Sequence, residues 1–152
     1  MWAELERRLR DRRERLHGNL AAIDGLLARS SGAEPAALDL PGLAKLVENC
    51  YSDLEEVLKA IAKAVDGRMP QGHDWHRELL EQMAMAQASR PAVLDDTLRV
   101  ELSAYLAFRH YSRNSTFALL DWAKMKPLVL GARLTFESAI TAVATFLTKL
   151  AT

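Results

Sequence analysis

The chain has one cysteine, Cys50, so no intramolecular disulfide can hold it and its stability has to come from a buried core. That cysteine sits among apolar residues at helical spacing, the setting of a buried structural thiol. A charge excess of either sign is also missing, because 20 Lys+Arg balance 20 Asp+Glu. This excludes a global attraction to nucleic acid and requires any polyanion site to be local. The amino terminus lacks the apolar core of a signal peptide, running from Met1-Trp2-Ala3-Glu4 into arginines, and no apolar stretch approaches membrane-spanning length. A cytoplasmic protein without membrane contact is expected. Strand-like alternation, internal repeats and low-complexity tracts are absent as well.

What is present fits one soluble domain over residues 1–152, with 49% apolar and 26% charged residues, large enough to bury a real core. Apolar residues recur at three- and four-residue steps, which predicts helices throughout. Trp2, Leu5, Leu9, Leu16, Leu20 and Ile23 give the first helix an apolar face from Met1 to about Arg29. Leu43, Val47, Cys50, Leu54, Leu58 and Ile61 trace a second of about six turns, ending near Val65. Asp74 can cap a shorter helix from Trp75 to Met83, and Asp95 and Asp96 can start another through Leu98, Leu102 and Tyr105. A long fifth helix carries Met125, Val129, Phe136, Ile140 and Leu147, with Pro127 expected in its first turn. Short breaks at 30–35, 67–73 and 89–91 join neighbours into an all-α, up-and-down bundle of about five helices.

Three charged strings invite a chemical interpretation. Arg7, Arg8, Arg10, Arg12, Arg13 and Arg15 are interleaved with Glu4, Glu6, Asp11 and Glu14, which favours a solvated helix face over a phosphate-binding patch. His73 and His76 are three residues apart in HDWHRELLEQM, but the spacing straddles a helix start and lacks the HExxH pattern, so no metal is expected there. Trp75 and His76 serve better as the anchor of that helix to the bundle. Arg68 and His73 imitate an Arg-x4-His pair but fall in a Pro/Gly loop without a helical scaffold.

The fourth string is Phe108-Arg109-His110-Tyr111-Ser112-Arg113-Asn114. On a helix Arg109 and Arg113 share one face, and so do His110 and Asn114. The residues suit either a solvated helix end or a phosphate site, in which two guanidinium groups hold a phosphodiester and an imidazole moves a proton. Such a site cleaves RNA without metal by using the ribose hydroxyl as internal nucleophile.

With four further strings, namely YSDLEEVLKAIAKAVDG at 51–67, PQGHDWHRELLEQM at 70–83, RPAV at 90–93 and LDWAKMKPLV at 120–129, the chain resembles the HepT-like proteins of the HEPN superfamily. These are helical ribonuclease toxins paired with small nucleotidyltransferase (MNT) antitoxins. The resemblance implies a HEPN-like bundle, a homodimer whose sites form where motif helices meet, tRNA or mRNA as substrate, and no cofactor.

It also assigns roles. Arg109 matches the motif arginine, His110 the polar residue after it, and Arg113 an arginine that often precedes the catalytic histidine. Asn114 occupies the position of that catalytic histidine, and Thr116 the position of a tyrosine that the partner can modify; Tyr111 offers another hydroxyl nearby. The asparagine amide does not titrate near neutrality and cannot serve as general acid or base. The implied function is therefore a toxin whose ribonuclease activity is reduced or absent. The alternative is a noncatalytic HEPN module that binds nucleotide or the nucleotidyltransferase.

Overall fold

A computed structural model describes residues 1–115 and 120–152. Five α-helices make one bundle: α1 (Trp2–Ala28), α2 (Leu40–Ile61), α3 (Trp75–Ala84), α4 (Asp96–Arg113) and α5 (Trp122–Ala151). No strand occurs among the described residues. The central element is α2, which packs against each of the other four helices. Its stripe Leu43, Val47, Cys50, Leu54, Leu58 and Ile61 is buried, and so is the opposing stripe Leu5, Leu9, Leu16, Leu20 and Ile23 of α1. Met125, Val129, Phe136, Ile140 and Val143 of α5 complete the core.

The helix starts follow their capping residues. Asp95 Oδ1 accepts from the Leu98 amide at 2.7 Å, which sets where α4 begins. Asp121 Oδ1 accepts from the Ala123 amide at 3.0 Å and begins α5. This start lies earlier than the sequence suggests, so Pro127 falls inside α5 and not in its first turn. The exposed Ala123 at the helix start can give its unclaimed carbonyl to solvent, which is why the proline is tolerated. Asp74 holds the N-cap position of α3, but its side chain makes no cap bond and pairs with Arg77 at 3.3 Å.

By length and composition α5 could cross a membrane, with a mean hydropathy of 1.3 over its best window. That corrects the expectation that no segment approaches this threshold. Its apolar stripe is instead taken up by packing against α1, α2 and α4.

After Ile61 the backbone widens into a π-helical turn, Ala62–Asp66, closed by Gly67 in the left-handed region at φ 70°. This turn presents Asp66 to Arg90. Arg90 Nε lies 2.5 Å from Asp66 Oδ1 and Nη2 lies 2.8 Å from Oδ2. The same guanidinium donates to the carbonyls of Met85 at 3.0 Å, Pro91 at 2.8 Å and Gln82 at 3.1 Å. Both side chains are buried, and the Gln82 amide donates to Asp66 at 2.7 Å. One arginine thus pins the connection between α3 and α4 to the end of α2.

Candidate active site

The carboxy-terminal turns of α4 form one wall of an open groove of about 470 Å3. Arg109, His110, Arg113 and Asn114 line that wall, and His73, Asp74, His76 and Arg77 line the other from the start of α3. The four residues of the α4 string and both histidines of HDWH are therefore gathered in one place.

Arg109 is half-buried, and its Nε is shielded from solvent without a hydrogen-bond partner among the described residues. None of the ion pairs among the described residues involves Arg109 or Arg113. A buried donor left unmatched costs stability unless something supplies an acceptor. The arginines of α1 behave differently. Arg8 meets Glu4 at 2.9 Å, Arg7 also pairs with Glu4, and Arg12 meets Asp53 at 3.0 Å. Much of that run is thus neutralised within the chain, whereas Arg109 and Arg113 keep their charge available to an anion.

Behind Arg109 lies Tyr51 of α2. Burial pushes its hydroxyl well above the ordinary tyrosine range, the Glu55 charge adds to this, and the Arg109 charge works against it. Ser112 is turned inward and donates to the buried carboxylate of Glu48, fixing the rotation of α4's last turn against α2. That rotation puts Arg109, His110 and Arg113 toward the groove.

Asn114 sits at the C-cap of α4, not within the helix. Its Nδ2 donates to the His110 carbonyl at 2.8 Å and lies 3.4 Å from His110 Nδ1. The Asn114 amide is thereby used to cap the helix and to steady His110. Tyr111 does not line the groove. Its hydroxyl accepts from the Asp121 amide at 3.2 Å, and Lys124 Nζ stands 5.4 Å from its ring centroid. Thr116 lies outside the described residues.

The opposite wall was legible only as a string. His76, read from the sequence as a helix anchor, places Nδ1 2.7 Å from Glu55 Oε2, while its ring stacks on Trp75 with centroids 3.6 Å apart. His73 reaches the same groove, whereas Arg68 turns away to Gln87 at 3.3 Å. Glu55 had no sequence signal, since its partner is 21 positions distant. No cluster of three or more His, Cys, Asp or Glu side chains placed to hold a metal occurs among the described residues.

A family profile described as HepT-like protein matches residues 42–150. No curated protein and no solved structure matches the chain. The matched span takes in all but the first two residues of α2, the Arg90 clamp and both walls of the groove, and it covers well over half of the sequence: the chain belongs to the HepT-like family.

Proposed function

We propose that this chain is the toxin component of a HEPN/MNT toxin–antitoxin pair, a metal-independent endoribonuclease of the cytoplasm whose turnover is lowered by Asn114. The observation that carries this is that Arg109, half-buried and outside every ion pair among the described residues, lines a groove beside Arg113, His110 and Asn114. A guanidinium in that state is suited to the non-bridging oxygens of a phosphodiester, where charge grows during attack by the ribose hydroxyl. Arg113 adds a second cation, and His110 offers a proton to the leaving oxygen. Asn114 cannot transfer a proton, which removes about two to four orders of magnitude of rate.

Substrate would be tRNA or mRNA. Pairing of two copies across α4 would join two Arg109/Arg113 sets into a basic groove despite zero net charge. A nucleotidyltransferase antitoxin would cover that groove or modify hydroxyls near it, with Thr116 and Tyr111 as the candidate region. The competing function is a noncatalytic module binding nucleotide or the nucleotidyltransferase, favoured by the two departures at Asn114 and Thr116.

Cleavage of labelled tRNA and single-stranded RNA in excess chelator separates the two. Asn114→His should raise cleavage by about two to four orders of magnitude, and Arg109→Ala added to it should remove the gain. Absence of cleavage in all these chains would favour the binding module.

A further inference from the structure

We propose that His76, positioned by Glu55, is the proton acceptor that stands in for the missing histidine at position 114; the assignment rests on the ribonuclease function above. Three observations meet here. His76 lines the groove from α3, across from Arg109, His110 and Asn114 on α4. Its Nδ1 lies 2.7 Å from Glu55 Oε2, and the Glu55 side chain is only 7% exposed whereas that of His76 is 24% exposed. Its ring is stacked on Trp75, whose own ring has Lys59 Nζ 5.4 Å from the centroid.

The hydrogen bond fixes the tautomer. A carboxylate only accepts, so Nδ1 carries the proton and Nε2 keeps its lone pair. With Nδ1 committed to a buried partner, Nε2 is the ring atom left to the groove. The carboxylate also stabilises the imidazolium that forms when Nε2 takes a proton, the service that an orienting acid gives a catalytic histidine elsewhere. Glu55 is in turn held beside Tyr51, on the α2 face that also meets Arg109. The phosphate-binding arginine and the base are therefore set by the same two turns of one helix.

The step balances without a co-reactant. The ribose 2′-oxygen attacks phosphorus as its proton passes to His76 Nε2, while Arg109 and Arg113 hold the non-bridging oxygens. The P–O5′ bond breaks, and the 5′-oxygen takes a proton from His110. Products are a 2′,3′-cyclic phosphate and a 5′-hydroxyl, and water returns the proton between the two rings. His76 is thus a catalytic residue and Glu55 a positioning residue.

The test uses the full chain, labelled single-stranded RNA, excess chelator and analysis of the product ends. The unsubstituted chain should cleave slowly to cyclic-phosphate ends. His76→Ala should lose about two orders of magnitude or more, recovered by added imidazole or by Asn114→His in the same chain. Glu55→Gln should lower kcat with KM little changed. Full activity of His76→Ala would overturn the assignment, as would a loss that neither imidazole nor Asn114→His recovers. Cleavage by Asn114→His but none by the unsubstituted chain would overturn it while leaving the ribonuclease function standing. Cleavage by none of the chains would end both.

Discussion

Arg109 and Cys50 show how burial decides what a side chain does. Arg109 has its Nε sealed from water, yet the residue as a whole is half-buried and lines the groove, so its charge is open to an anion there. Arg109→Lys keeps the charge and loses the fork that meets two phosphate oxygens at once. Cleavage by an Asn114→His chain should fall by about ten- to a hundredfold on adding Arg109→Lys, and by about two to three orders of magnitude with Arg109→Ala; equal rates for lysine and arginine would mean that only net charge matters. Cys50 is the opposite case. Burial, helped by the Asp53 charge, pushes its thiol up to about 12, so the thiolate is scarce at neutral pH. Iodoacetamide should leave Cys50 unlabelled in the folded chain and label it on unfolding in urea; rapid native-state labelling would show an open core around α2.

At the scale of elements, α4 carries one wall of the groove and its two ends do different work. Asp95 fixes the start and Ser112, bonded to Glu48, fixes the rotation of the last turn. Asp95→Ala should cost about 1 kcal/mol in urea unfolding while leaving RNA binding by the far end intact. The helices and the Asp95 cap were legible because period and capping chemistry are local properties. So was the gathering of Arg109, His110, Arg113 and Asn114, which lie within two turns of one helix end. The other wall was not. His76 could be named from HDWH, but its partner Glu55 lies on another helix, and two helices meet in a phase that no local pattern records. Pro127 was misplaced for a related reason, since the Asp121 cap outweighs the preference of proline for a first turn.

For the whole molecule, the Asp66–Arg90 pair joins the end of α2 to the connection between α3 and α4. Burial pushes the Asp66 carboxyl up, but hydrogen bonds from Arg90 and Gln82 and the charges of Arg90 and Arg68 bring it below the usual carboxylate range. A depressed carboxyl stabilises the fold above its ordinary value near 4, and that contribution disappears as pH falls through the lower folded value. Acid unfolding of Asp66→Asn should therefore show a weaker dependence on pH below about 4 than the parent chain. Arg90→Ala strands a buried carboxylate and three carbonyls, and should cost about 3 to 5 kcal/mol in urea unfolding at neutral pH.

That clamp depends on the π-helical turn Ala62–Asp66, where the backbone carries one more residue than an α-helical path would need. The same five residues wound as a regular α-helix would carry Asp66 about 90° past this position and away from Arg90, whereas a stretch one residue shorter reaches the same place by plain α-winding. Length and winding are therefore matched at this point: the loop at 30–35 has room to gain or lose a residue, whereas a residue inserted at the end of α2 would need a still wider turn or would carry Asp66 off Arg90.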